Sequence, residues 1–128
     1  MTAHGGFHWN ELNTRNLKKA KDFYRRTLGW SFEEMPMGEG ASYTLIKANG
    51  EMVGGMMEMK GPMFEGVPEN WFVYIAVDDI DKRLAKLKQA GGKVIREPWE
   101  APGVGRIAIV EDVNGAVSGW MTPAPGSM

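Results

Sequence analysis

A chain of 128 residues with 43% hydrophobic side chains and a formal net charge of -1 is sized for one domain or two small halves sharing a core, and is too apolar for disorder. The near-neutral charge leaves no basic stripe for a nucleic acid, and the lack of cysteine excludes disulfides, thiolate metal sites and a cysteine nucleophile. No apolar run approaches the roughly 20 residues of a membrane-spanning helix, and MTAHGG has neither the charged nor the apolar region of a signal peptide, so a cytoplasmic protein with no membrane partner is expected.

In chain order, residues 7–12 are aromatic and apolar enough for a first strand. Asn16 is a good N-cap for a helix on which Leu17, Ala20, Tyr24 and Leu28 recur at helical spacing, with Gly29 in the C′ position. Strands follow around 30–35, 42–48 and 52–59, and a long turn covers 60–70. The order then repeats. Residues 71–77 read as a strand, and Asp79 caps a helix with Ile80, Leu84 and Leu87 on one face. Gly91-Gly92 ends that helix, and strands are expected at 93–97, 104–111 and 116–121. Asn16 and Asp79, Leu17 and Ile80, Tyr24 and Leu87, and Gly29 and Gly92 all stand 63 residues apart. The turns Asn49-Gly50 and Asn114-Gly115 stand 65 apart, a two-residue slip that preserves strand parity.

Both halves are therefore β-α-β-β-β, and the expected architecture is α+β: two tandem modules, about 5–60 and 70–123, in one domain. A four-stranded sheet with one helix buries only the face under that helix, so the other face needs a matching surface and the two sheets would curl into a cup. Alternation over 71–77 divides the roles: Val73, Ile75 and Val77 suit packing under a helix, while Phe72, Tyr74 and Ala76 suit a concave aromatic space. A ferredoxin-like dimeric barrel, the rival fold, would lack the late strand of each half. Sheet edges and apolar surface make a homodimer the expected assembly.

The segments NLKKAKDFYRRTLGW (16–30), YIAVDDIDKRLAKLKQAGGKV (74–94) and VGRIAIVEDVNGAVSGW (104–120) resemble the vicinal oxygen chelate superfamily of glyoxalases, extradiol dioxygenases and bleomycin-resistance proteins. The likeness spans nearly the whole chain, and the usual Pro after the late Asp is Val113 here. It implies the cup fold, with four metal ligands in the metal-using members. Carried over by spacing, those positions fall on Trp9, Phe72, Gly119 and either Gly54 or Met56, none of which offers a nitrogen or carboxylate donor, so no metal and no other cofactor is expected. His8, one residue from Trp9, points to the opposite side, and His4 reads as a flexible terminal residue.

What the cup would offer instead starts with Trp9, Glu11 and Asn13 on one strand face and Phe72, Tyr74 and Ala76 on the other. Glu11 and Tyr74 are again 63 apart, which pairs them by pseudosymmetry. A carboxylate among aromatics is disfavoured in its charged form, which suits a base, and a phenol beside it suits an oxyanion. The favoured alternative is a buried pair that only fixes the core. Met56, in the methionine-rich run MVGGMMEMKGPMF, suits an adaptable pocket wall or a core gap-filler, and Glu58 shares its parity. Arg106 is a candidate for an anionic ligand or a carboxylate across an interface, with a solvated strand residue as the default, while Trp71 and Trp120 read as packing or dimer-surface anchors. Three functions remain open: a metal-free binder of a small apolar or aromatic ligand in a cup of Trp9, Met56, Phe72 and Tyr74; an enzyme using Glu11 as base or a metal at displaced ligands such as Glu11 and Glu58; and a structural or regulatory dimer with a filled cup.

Overall fold

A computed structural model describes residues 2–38 and 41–125. The elements are β1 (Phe7–Thr14), α1 (Leu17–Leu28), β2 (Ser31–Gly38), β3 (Ala41–Ala48), β4 (Glu51–Glu58), a single 3-10 turn (Pro62–Phe64), β5 (Asn70–Ala76), α2 (Ile80–Gln89), β6 (Lys93–Ala101), β7 (Gly105–Glu111) and β8 (Val117–Pro123). The chain is α+β and twice runs β-α-β-β-β, as its periodicity requires. Among the described residues no helix is long and apolar enough to cross a membrane. Two compact units divide it: Trp9–Phe72, and the chain up to His8 together with the chain from Val73.

In the unit Trp9–Phe72 the strand order is β2-β3-β4-β1, antiparallel except that β1 runs parallel to β4. Its core is Leu12, Ile46 and Met56, covered by Leu17, Ala20 and Tyr24 of α1 and by Trp30 and Phe32. The helix starts where Asn16 accepts a hydrogen bond from the Lys19 amide at 2.9 Å, and it stops at Gly29, whose φ of 72° an L side chain resists. Leu28, expected in the apolar stripe, is exposed. Beside the core, Trp30 stacks on Tyr24 at 4.9 Å, and Trp71 meets both rings edge-on at 5.8 and 5.9 Å, the packing role its parity implied.

The loop after β4 is tied down by Glu69. Its carboxylate accepts from the Thr14 hydroxyl, the Arg15 amide at 2.9 Å and the Arg15 guanidinium at 3.0 Å, while Arg15 also donates to the Phe64 carbonyl at 2.7 Å. The Thr14 and Arg15 donors hold the Glu69 carboxyl below its ordinary value of 4.5. A depressed carboxyl pKa contributes stability that is complete above the unfolded value and lost as the pH falls through the folded one. Glu69→Gln should therefore be less stable than the wild type at neutral pH, with the difference closing below pH 4.5. Urea midpoints at pH 7 and pH 3 check this, and a gap of equal size at both would refute it.

In the other unit the order is β5-β8-β7-β6, with β5 parallel to β8 and the other pairs antiparallel. Ile80, Leu84 and Leu87 of α2 bury their shared face against Val77, Ala108 and Val110, with Val94 and Trp120 beside them. Asp79 caps α2 by accepting from the Lys82 amide at 3.2 Å. The opening segment belongs here because Gly5 donates to the Ala76 carbonyl at 2.7 Å and the Ala76 amide to Gly6 at 2.9 Å.

The repeat is looser at the helix ends than the 63-residue spacing suggests. Since α2 has 10 residues against 12 in α1, the left-handed glycine is Gly91 at φ 97°. Gly92 serves close packing instead, since a Cβ there would come within 2.8 Å of Leu87 and 2.9 Å of the Glu111 carbonyl. The two Asn-Gly turns also differ. Asn49 and Gly50 both take positive φ, 53° and 81°, as a two-residue hairpin of inverted twist requires. At the later turn Asp112 instead accepts from the Asn114 and Ala116 amides at 2.8 and 3.0 Å.

Candidate functional site

Alternation along β1 turns Leu12 into the core under α1 and sends Trp9, Glu11 and Asn13 to the opposite face. Register extends that face sideways: Glu11 lies beside Gly55 of β4, and Gly55 beside Leu45 of β3. Tyr43, two residues before Leu45, shares it. From there the Tyr43 side chain crosses β4 and donates its hydroxyl proton to Glu11 Oε1 at 2.7 Å, while the Trp9 indole N–H donates to the Tyr43 oxygen at 3.0 Å. The crossing is possible because residue 55 has no side chain; a methyl there would overlap the phenol ring and hydroxyl. Glu11 is 5% exposed, so a carboxyl group sits inside the fold on a relay of indole, phenol and carboxylate.

Asn13 continues the polar side of this face. Its Nδ2 donates to Asn70 Oδ1 at 3.3 Å, and Asn70 Nδ2 donates to the Pro68 carbonyl at 2.9 Å. Asn13 is 6% exposed, and its Oδ1 has no hydrogen-bond partner among the described residues.

The structure thus brings Trp9 and Glu11 together, as expected, through a residue that sequence reasoning missed. The available signal for Tyr43 was the Gly54-Gly55 pair. Gly54 lets β4 approach the Asn10 carbonyl of β1, and Gly55 makes room for a side chain from the next strand. Phe72 stands two residues after Asn70 on β5, and Tyr74 lies beyond the boundary of this unit, beside Gly119 of β8.

Three further expected positions are placed by the structure, and one of them, Met56, is a correction. Met56 is not on the face of Glu11: it is buried under α1 with Leu12 and Ile46, because β4 presents Gly55, its neighbour, beside Glu11. Glu58 shares the parity of Met56, and its carboxylate lies 3.5 Å from Lys60. Arg106 is paired inside its own unit, with Asp81 of α2 at 3.1 and 3.2 Å and with Glu100 of β6 at 2.9 Å. Both carboxylates raise its pKa further.

The histidines are structural. His8 Nδ1 lies 2.8 Å from the Thr2 hydroxyl, and partial burial lowers its pKa. His4 has a definite place, contrary to expectation: its Nδ1 accepts from the Asp78 amide at 3.0 Å. Asp78 is also gripped by Arg83 at 2.8 and 2.9 Å, which holds its carboxyl far below the usual range.

The metal implied by the fold does not fit the residues at its family positions. Trp9 offers an indole nitrogen that is a donor already spent on Tyr43, Met56 is enclosed in the core, and Gly54 and Gly119 have no side chain. Phe72 has no ligating atom. Among the described residues no three His, Cys, Asp or Glu side chains come together.

The sequence profile of the Glyoxalase/Bleomycin resistance protein/Dioxygenase superfamily matches residues 6–117. The protein named "Putative glyoxylase CFP32" in Mycobacterium bovis and Mycobacterium tuberculosis is 44% identical over 117 residues, which is 91% of this chain and 44% of that protein. Anthracycline biosynthesis protein DnrV of Streptomyces peucetius is 30% identical over 125 residues, 89% of this chain and 46% of its own length. The chain spans less than half the length of the curated relatives it matches. Among solved structures, hypothetical protein BH1468 from Bacillus halodurans C-125 superposes with a TM-score of 0.70 at 14% identity, covering 97% of this chain and 98% of its own. Methylmalonyl-CoA epimerase from Mycobacterium tuberculosis does so at 0.65 and 18%, covering 98% and 94%. At these identities the structural likeness shows the fold alone. The matched profile, running from β1 to the start of β8, shows that the chain belongs to the Glyoxalase/Bleomycin resistance protein/Dioxygenase superfamily.

Proposed function

We propose that the protein binds a small apolar or aromatic molecule against the face of β1, β3 and β4 that carries Trp9, Tyr43 and Glu11, with no metal or organic cofactor. The observation that carries this reading is the buried Glu11 carboxyl, held by the Tyr43 hydroxyl that Trp9 in turn orients. A buried carboxyl group is costly to keep, and one so oriented is preorganised to receive a ligand. Leu45 and Met57 give the same face an apolar, adaptable part beside Asn13. Relatives named for a glyoxylase and for anthracycline biosynthesis agree with small-molecule work. On this reading the protein is cytoplasmic and has no nucleic-acid or membrane partner.

A base role for Glu11 is the second reading, favoured by the same burial beside a phenol. The test is a thermal-shift screen of small aromatic metabolites, with and without divalent cations. A ligand should raise the melting temperature of the wild type without added metal, and Glu11→Gln should bind it about 10-fold or more weakly, as for a lost hydrogen bond in a buried site. An equal shift in Glu11→Gln would remove Glu11 from the site, and a shift seen only with a divalent cation would overturn the metal-free reading.

A further inference from the structure

We infer that Asn13 sets the specificity of this face: its amide oxygen accepts a hydrogen bond from the ligand, so the site takes molecules bearing a hydroxyl or N–H beside an aromatic body. This rests on the reading that the face of Glu11 is the ligand site.

The orientation of the Asn13 amide is fixed from outside. A carbonyl can only accept, so the Pro68 oxygen obliges Asn70 to present its NH2 there. That turns Asn70 Oδ1 towards Asn13, whose NH2 must answer it. Asn13 Oδ1 is left pointing the other way, buried and without a donor among the described residues. A buried acceptor in that state is costly, and natural folds keep few of them without a reason.

The other polar atoms of the relay are already matched. Trp9 gives its N–H to Tyr43, Tyr43 gives its O–H to Glu11, and Asn13 gives an N–H to Asn70. What the face still needs is a donor. Glu11 and Asn13 are two residues apart on one strand face, about 6–7 Å, a span that a substituted ring can bridge. Anions are poorly served: Lys47, at the far end of β3 with the parity of Tyr43, is paired with Glu33 at 3.0 Å. The register neighbour of Asn13 on β4 is Met57, whose flexible thioether chain can give way as a ligand enters.

The experiment uses a naphthol, its methyl ether and the matching naphthoate, titrated at millimolar concentration into the labelled full chain, with amide shifts of Glu11, Asn13 and Gly55 as readout. The wild type should bind the naphthol about 10-fold more tightly than the ether, with the naphthoate weakest. Asn13→Leu should bring the naphthol-to-ether ratio close to one. Asn70→Ala, at a half-buried position that threatens folding less, frees the Asn13 amide to rotate and should also shrink the ratio. A wild type that binds naphthol and ether equally, or a ratio unchanged in both variants, overturns the inference while leaving the site intact. If none of the three moves the amides of this face, the site itself is wrong and the inference falls with it.

Discussion

Gly55→Val is expected to unfold the protein more readily by about 2–6 kcal/mol and to abolish binding at the Glu11 face. Two effects add. A side chain at residue 55 would occupy the volume of the Tyr43 ring and hydroxyl, and overpacking of this kind costs about 1–3 kcal/mol. Backbone retreat is closed off because β4 is hydrogen-bonded to β3 on one side and to β1 on the other. Tyr43 must then leave, and Glu11 loses its hydroxyl donor while buried, about 1–3 kcal/mol more. Trp9 reports the event independently, since its indole loses its acceptor and its fluorescence should change with the urea midpoint. Adding Tyr43→Ala to Gly55→Val should recover the overpacking component but not the lost donor. A Gly55→Val protein as stable as the wild type would show that Tyr43 does not need the space above residue 55.

How much of this was legible in the sequence depends on whether a feature is local. Asn16 and Asp79 cap the helices they were expected to cap, because an N-cap needs only its own side chain and an amide three residues on. The stripe Ile80, Leu84 and Leu87 is buried together because helical spacing is a property of the segment itself. Trp9 and Glu11 share a face because parity within one strand is equally local. Parity between strands is another matter. Met56 was placed with Glu11 by a spacing that allowed either of two residues, and the register of β4 against β1 favoured neither, placing Gly55 there. Tyr43 was missed for the same reason: its partners are 32 and 34 residues away, and only the register of three strands reveals that one glycine opens the way between them. The ion pairs of Arg106 are hidden for the same reason, since an isolated arginine in a strand gives no hint of Asp81, 25 residues earlier on a helix. The sequence is most informative about segments and least about what lies beside them, and this site is built almost wholly from lateral neighbours.

The relay itself can be made to say whether it serves a ligand or only the fold. Tyr43→Phe should cost about 1–3 kcal/mol, because Glu11 and the Trp9 indole each lose a partner in a site that water does not freely reach. Glu11→Leu alone leaves the Tyr43 hydroxyl without its acceptor and should also destabilise. Combined, the two substitutions remove donor and acceptor together and leave residues of similar size, so the double variant should regain much of the stability lost by the single ones. Stability and binding then part company. If Glu11 anchors a ligand, the double variant melts near the wild type but no longer binds the molecule that stabilises the wild type. If the relay exists only to join β1 to β3 across β4, stability and binding recover together, and the proposed function loses its central residue. Urea midpoints for the four proteins of the cycle, measured alongside their thermal shifts with one ligand, separate the outcomes, because a purely structural carboxylate cannot lose binding while its fold is restored.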